Sequence, residues 1–322
     1  MKKIAILTSG GDASTMNKCL STFITYASKY NCEVVFVKNG YKGIYDNEFV
    51  KPDYTETKSW WSLPGTKIYS SRFPEILDEQ VRKQMVDNLH KNSIDTLVVI
   101  GGDGSYKGAR LLSKSGIKVI GLPGTIDNDI ASTSYSIGFD TSLNAIVNSI
   151  KEIKSCMDSH ANVAMIEIMG RHCIDLTVFA GIATEADIII TPESFYTPQQ
   201  LLAKINEKRK TNSRGIIILY VELLLGTENI PTVEEYIKYI QANSKESVKK
   251  NILGYLQRGG NPTAMDMIRA SLMTEHALKM ISENQYNKII GVDEFKVVSY
   301  DLETAINMKN PSRKDLIDKF FN

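Results

Sequence analysis

The chain has 322 residues, enough for a large core and for two domains or one domain with a substantial second lobe. A hydrophobic fraction of 43%, a charged fraction of 23% and a net charge of +1 fit a soluble enzyme and give no case for nucleic-acid or membrane-surface binding. Cys19, Cys32, Cys156 and Cys173 are scattered, without metal-ligand spacing or a secreted disulfide framework, so a reducing compartment is expected.

From the N-terminus, Ile4–Leu7 reads as a first strand and not as a secretion signal, because polar Thr8, Ser9 and Asp12 follow at once. No apolar run approaches membrane-spanning length, and a cytoplasmic location is expected. A helix is predicted over 16–30, a strand over Val34–Val37 and a helix over 79–92. Leu97–Ile100 is the next strand, followed by a helix over 105–115, a strand over Val119–Leu122 and a helix over 141–156. Further strands are expected at Val163–Ile168, Ile188–Ile190 and Ile216–Val221, with helices over 173–185, 198–209 and 263–282. The part after Pro311 suits an exposed final helix. Short Val/Ile runs alternating with helices indicate an α/β fold whose mainly parallel sheets are covered on both faces. Gly259-Gly260-Asn261-Pro262 breaks the pattern, and a coarse boundary falls near Gly138.

Three turns carry chemistry. Ile6-Leu7-Thr8-Ser9-Gly10-Gly11-Asp12 runs a strand into paired glycines, and Val98-Val99-Ile100-Gly101-Gly102-Asp103-Gly104-Ser105 repeats the design. Glycine lets backbone approach a phosphate closely, and the amides opening the next helix supply donors and the positive dipole end. Asp103 beside an anion makes sense if a cation bridges them, and Mg²⁺ favours carboxylate plus phosphate oxygens. The third turn, Gly121-Leu122-Pro123-Gly124-Thr125-Ile126-Asp127-Asn128-Asp129, places a hydroxyl and two carboxylates just beyond an apolar run. Carboxylates that close are expensive to desolvate and rarely serve packing. One can take a proton from a hydroxyl while the other helps hold a metal. One Gly-Gly-Asp can be no more than a tight strand-to-helix turn, but two copies plus the acidic turn favour a nucleotide-phosphate site.

Neither the P-loop pattern nor the Gly-x-Gly-x-x-Gly fingerprint occurs. Arginines are then the natural phosphate partners, and Arg72, Arg171 and Arg258 lie in turn-like contexts. The four histidines show no ligand pairing, and Trp60-Trp61 suits packing or an interface.

Taken together, Leu7–Ala13, Ser71-Arg72-Phe73-Pro74-Glu75, Val99–Ser105, Gly121–Asp129, Met169-Gly170-Arg171 and Gln257-Arg258-Gly259-Gly260 resemble the ATP-dependent 6-phosphofructokinases over essentially the whole chain. The resemblance implies two doubly wound, mainly parallel-sheet lobes with the active site between them: 1–138 plus about 257–307 for ATP, and 139–256 plus about 308–322 for the sugar phosphate. It implies a glycolytic enzyme that moves a phosphoryl from ATP, with Mg²⁺, to the 1-hydroxyl of fructose 6-phosphate. Asp127 would be the base, Thr125 would contact the transferred phosphoryl, and Arg72 and Arg171 would meet its charge. Asp103 and Asp129 would serve Mg²⁺. Gly11, Tyr41, Arg72 and Phe73 would border the nucleotide, with Gly102, Asp103, Gly104 and Ser105. Thr125, Asp127, Asp129, Asn162, Met169, Gly170 and Arg171 would border the sugar phosphate, with Glu222, Lys249, Tyr255 and Arg258. Gly104 and Gly124 match the ATP-using branch, since the pyrophosphate-using branch usually carries Asp and Lys there. A homo-oligomer, dimer or tetramer, is implied because the family builds its acceptor pocket across subunits.

The chain departs from that pattern at several places. Asn162, Lys249 and Tyr255 stand where the family has two arginines and a histidine around the 6-phosphate. Each charge-assisted contact is worth on the order of 1.5–3 kcal/mol, so either phosphorylated sugar binds less tightly and the acceptor has changed, or Lys249, Lys250 or Arg258 compensates. Ala13-Ser14-Thr15-Met16-Asn17 replaces Ala-Pro-Gly-Met-Asn, and Tyr69 replaces a usual glycine. Ser21, Thr25 and Tyr54 replace effector-site arginines, so weak or absent control of that type is expected. Two alternatives follow: the same chemistry with another sugar or sugar-phosphate acceptor, and a weakly active regulatory subunit.

Overall fold

The computed structural model describes residues 1–211, 214–227 and 229–321. The chain divides into two compact units, Met1–Ser142 with Arg258–Asn310 and Leu143–Gln257 with Pro311–Asn322.

In the first unit, β1 (Lys2–Ser9), α1 (Met16–Tyr26), β2 (Cys32–Val37), α2 (Gly40–Tyr45), β3 (Phe49–Val50) and α3 (Tyr54–Ser59) come first. Next are α4 (Glu79–Lys91), β4 (Thr96–Gly101), α5 (Asp103–Lys114) and β5 (Lys118–Pro123). Helix α6 (Phe139–His160) contains the boundary with the second unit. That unit continues through β6 (Val163–Ile168), α7 (Asp175–Thr184), β7 (Ile188–Ile190), α8 (Pro198–Lys210), β8 (Ile216–Val221), α9 (Val233–Asn243) and β9 (Val248–Ile252). The chain returns to the first unit for α10 (Ala264–Ser282), β10 (Lys288–Asp293), β11 (Lys296–Asp301) and α11 (Leu302–Asn307), and ends in α12 (Lys314–Phe320) of the second.

The first sheet has the order β11-β10-β5-β4-β1-β2-β3. Its five inner strands run parallel, and β3 and β11 pair antiparallel at the edges. Alternate strand residues feed opposite faces. Ala5, Leu7, Val35, Val37, Leu97, Val99 and Val119 meet Tyr41, Ile44, Met85, Leu89, Ala109 and Leu112 on one side. The intervening Ile4, Ile6, Val98 and Ile100 are equally buried. Both faces being covered explains the near-continuous apolar strands. The second sheet is an all-parallel β7-β8-β6-β9, with Val163, Met165, Ile216 and Ile218 packed against Leu201, Ile205, Tyr236 and Ile240.

From β1 the chain moves to β2 on one side and later to β4 on the other, so a topological switch point lies between β1 and β4. Open α/β sheets bind ligands beyond the C-terminal strand ends at such a point. The register sets Ser9 level with Gly101, and Gly101 level with Pro123. Three turns therefore leave three adjacent strands at one height, about 4.8 Å apart.

Local chemistry fixes several element ends. Asp78 caps α4 by accepting from the Gln80 and Val81 amides, while Thr197 and Thr232 open α8 and α9 with reciprocal capping boxes. The helix predicted over 16–30 ends at Tyr26, and Ala27–Tyr30 tightens into a 3₁₀ turn closed by Asn31 at φ 53°. Helix α5 starts at Asp103, two residues earlier than expected, because an acidic residue suits a first turn.

Candidate active site

The first two turns are locked together. Gly10 turns at φ +89°. Ser105, in the first turn of α5, donates from Oγ to Ser9 Oγ at 2.9 Å, a buried bond worth about 0.5–1.5 kcal/mol. Gly101 must be glycine, since a Cβ there would lie 2.5 Å from Ser105 Oγ and 2.7 Å from the Ser9 carbonyl. Tyr41 is buried in the core and donates its hydroxyl to the Ser105 carbonyl at 2.5 Å, so it braces the turn. Burial also pushes the Tyr41 phenol pKa well up and keeps it a donor. A Cβ at Gly104 would meet nothing within 4 Å, so that glycine leaves open space. The Asp103 carboxylate pairs with Lys107 at 2.6 Å, an exposed ion pair of small net worth that a bound cation can displace.

The third turn is built around Asn128. Its φ of 56° is a left-handed conformation that Asn tolerates, and it lets the flanking Asp127 and Asp129 leave the chain from one tight bend. Asn128 Oδ1 accepts from the Ser136 amide at 2.8 Å, and its Nδ2 donates to the Ser134 carbonyl at 3.1 Å. Ser136 Oγ donates to the Thr125 carbonyl at 2.7 Å. The Asp127 amide donates to Thr125 Oγ1 at 3.2 Å, which sets that hydroxyl. Asp127 is buried and Asp129 half-buried. Gly124 is enforced by packing: a Cβ would lie 2.9 Å from Ile100 Cγ2 and 3.0 Å from Met16 Cε, and no lysine fits without displacement.

The arginine loop is tied to the first turn. Ser70 Oγ donates to the Gly10 carbonyl at 2.7 Å, and Ser71 Oγ to the Asn39 carbonyl at 2.6 Å. Arg72 is left exposed, while Phe73 is half-buried against Tyr45. Tyr69 adopts φ 62°, the conformation a glycine takes freely. Arg258, assigned to the sugar by resemblance, rests on the first glycine turn: Nη1 donates to the Asp12 carbonyl at 3.2 Å, and a Cβ at Gly11 would lie 2.7 Å from it. The altered Ser14 has a use, donating to the Arg258 carbonyl at 3.0 Å. Thr15 stands at φ −100°, so the lost glycine is not missed there.

In the second unit the sequence-assigned residues separate into two groups. At the C-terminal end of β6, Glu222 Oε1 accepts from the Gly170 and Arg171 amides at 3.2 and 3.0 Å, and the Met169 amide donates to Gln257 Oε1 at 2.9 Å. Gly170 is required, because at φ +137° a Cβ would lie 2.4 Å from the Cys173 carbonyl. Arg171 is exposed at φ 51°. Asn162 lies at the other end, just before Val163, and Lys249 pairs in register with Ala164. At about 3.3 Å per residue, Asn162 is roughly 23 Å from Met169 along the strand. Within one chain these two positions cannot hold the same ligand group as Gly170, Arg171 and Glu222. Tyr255 is 84% exposed, with Leu256 beside it at 68%.

Among the described residues no cluster of three or more His, Cys, Asp or Glu is arranged to hold a metal. No helix among them is long and apolar enough to cross a membrane. The effector-type positions are occupied by internal bonding: Ser21 Oγ donates to the Lys58 carbonyl and Thr25 Oγ1 to the Ser21 carbonyl, with Tyr54 exposed. Sequence reasoning passed over Asn128, Ser136 and Asn17. Asn17 Nδ2 donates to the Leu63 and Pro64 carbonyls and Oδ1 accepts from the Lys67 amide, which fixes the start of the arginine loop. The only sequence signal for Asn128 is its place between two aspartates in a turn.

The phosphofructokinase family model matches residues 3–281. An ATP-dependent 6-phosphofructokinase from Photobacterium profundum is 40% identical over 325 residues, covering 100% of both chains. One from Clostridium botulinum is 41% identical over 318 residues, 98% of this chain and 97% of its own. The solved phosphofructokinase from Saccharomyces cerevisiae superimposes with a TM-score of 0.87 at 30% identity, over 95% of this chain and 45% of that longer one. With three glycine and acidic turns aligned at the switch point, and this match along its length, the chain belongs to the phosphofructokinase family.

Proposed function

We propose that the protein is an ATP-dependent 6-phosphofructokinase acting in glycolysis, moving the terminal phosphoryl of ATP to the 1-hydroxyl of fructose 6-phosphate. The observation that carries this reading is the alignment of the Gly10–Gly11, Gly101–Gly102 and Thr125–Asp129 turns on adjacent parallel strands. It gives backbone amides for a polyphosphate beside a carboxylate for a hydroxyl proton. Asp127 takes the proton as the sugar oxygen bonds to the terminal phosphorus, the bond to the bridging oxygen breaks, and ADP leaves. Thr125, whose hydroxyl is set by the Asp127 amide, faces the moving phosphoryl. Arg72 meets its charge, a role the family resemblance also gives Arg171. Positioning and charge stabilisation carry most of such chemistry.

The donor set suits Mg²⁺, which takes one or two carboxylates and completes its shell with phosphate and water oxygens. Asp103, whose partner Lys107 is an exposed and replaceable one, and Asp129 would hold it. When bound, the ion neutralises charge on the phosphate oxygens. Packing at Gly124 and open space at Gly104 support ATP over pyrophosphate as donor.

Separation of Asn162 and Lys249 from Glu222 supports an acceptor site completed by a second copy, hence a homo-oligomer, in a cytoplasmic enzyme. Coupled ADP release across a panel of sugars and sugar phosphates tests the reading. Turnover selective for fructose 6-phosphate is expected. Faster turnover with another acceptor transfers the assignment to that acceptor, and none with any, despite ATP binding, leaves a regulatory subunit.

A further inference from the structure

The arginine loop contains a bulky residue in a conformation that bulky residues avoid. Among the described residues, about half of the other non-glycine residues at positive φ are Asn, whose short side chain tolerates it; Tyr69, like Arg171 and Leu223, is a larger residue there, at φ 62°. Neighbouring bonds hold it there. Its amide donates to the Thr66 carbonyl at 3.3 Å, its carbonyl accepts from Thr8 Oγ1 at 2.8 Å, and Thr8 Oγ1 also meets Thr66 Oγ1 at 2.9 Å. On either side, the Ile68 carbonyl accepts from the Asn39 amide at 2.9 Å, and Ser70 Oγ donates to the Gly10 carbonyl. Thr8 lies near the end of β1 and Gly10 just beyond it, so the strained residue is clamped against the first glycine turn.

The Tyr69 side chain lies mostly in solvent. It is 57% exposed, and among the described residues its ring has no stacking or cation partner and its hydroxyl no hydrogen bond. Strain of this kind persists where the surroundings over-determine it and a ligand uses the result. The clamp to Thr8 and Gly10 holds the Tyr69 backbone beside the turn whose amides suit a polyphosphate, and an exposed phenol there can donate to phosphate oxygen. The other aromatics of the donor side do not compete: Tyr41 is committed to Ser105 and Phe73 packs on Tyr45.

We propose that Tyr69 is a contact for the phosphoryl donor, its ring and hydroxyl covering the polyphosphate at the Gly10–Gly11 turn. This inference rests on the reading of the turns as a nucleotide site. Its readout is therefore nucleotide binding as well as turnover.

Calorimetric titration with ATP and steady-state kinetics are run on the wild type and on Tyr69→Gly, Tyr69→Asn and Tyr69→Phe. Glycine and asparagine accept the backbone, so their thermal midpoints hold or rise. ATP affinity is expected to fall about two- to tenfold in both, the worth of one neutral contact, while the KM for sugar phosphate stays within twofold. A Tyr69→Phe loss equal to that of Tyr69→Gly assigns the contact to the hydroxyl, and a smaller one assigns it to the ring. Unchanged ATP affinity in Tyr69→Gly and Tyr69→Asn overturns the proposal, leaving the kinase reading intact if the wild type turns over. A changed oligomeric state with unchanged affinity also overturns it, in favour of a contact between copies. A wild type that binds ATP, loses affinity on substitution and phosphorylates no acceptor keeps this proposal and overturns the proposed acceptor. A wild type that binds no nucleotide overturns both.

Discussion

The proposed donor turns of the first unit and the proposed acceptor residues of the second are organised in opposite ways. On the donor side, Ser9, Ser105, Tyr41, Asn128, Ser136 and Arg258 hold three turns by bonds within one unit. On the proposed acceptor side Met169, Gly170, Arg171 and Glu222 are drawn together, while Asn162 and Lys249 lie at the far end of β6. A braced set of turns is pre-organised for transition-state charge, which a chain can build alone. Under the proposed assignment, a pocket whose parts sit about 23 Å apart in one chain would draw the rest from a second copy. The departures that matter for the acceptor, Asn162, Lys249 and Tyr255, all fall in this unfinished part.

The largest expected effect lies in the braced half. Asp127→Asn is expected to lower kcat by about 10²–10⁴ with little change in ATP affinity, since it removes only a general base. Stopped-flow turnover with parallel ATP titration checks it, and surviving turnover would place the base elsewhere. A smaller effect is expected at Lys249. Lys249→Ala should raise the KM for fructose 6-phosphate on the order of tenfold or more, the worth of one charge-assisted contact, and leave the KM for ATP unchanged. An equal rise in both constants would erase the distinction between the halves.

The smallest effect concerns the frame. Asp266 is buried and accepts from the Gly138 amide at 3.3 Å, and from the Thr141 amide and hydroxyl at 2.8 and 2.6 Å, which holds the start of α6. Burial raises its pKa above the ordinary value of 3.8. A carboxyl whose folded value is raised contributes stability that is full below 3.8 and is lost as pH rises through the elevated value. Asp266→Asn removes that titration. Its stability deficit, about 1 kcal/mol, is expected to be widest at the acid end of a urea-unfolding series and to narrow as pH rises. A deficit independent of pH would show that Asp266 does not titrate in that window.

Legibility followed burial. Val163–Ile168, Ile188–Ile190 and Ile216–Val221 were read from their apolar runs to the residue, because each is buried on both faces. Strand β9, Val-Lys-Lys-Asn-Ile, left no such pattern, since it is an edge strand with exposed side chains. The β10–β11 hairpin was also not read out, although its inner strand is apolar, and its outer strand alternates weakly. Of the site, the glycines and aspartates were visible because few folds need such residues together at a strand end. Their braces were not, because Asn128, Ser136 and Asn17 are ordinary polar residues until the chain brings their partners near.

By itself the sequence determined the doubly wound fold class, the three turns and the chemistry they can carry, since residue type and strand period act locally. Only the tertiary structure decided that those turns leave neighbouring strands at one height, that Arg258 rests on the first glycine turn, and that Asn162 stands apart from Glu222. Strand order and register arise from contacts between segments far apart in the chain, and no local pattern encodes which strand lies beside which.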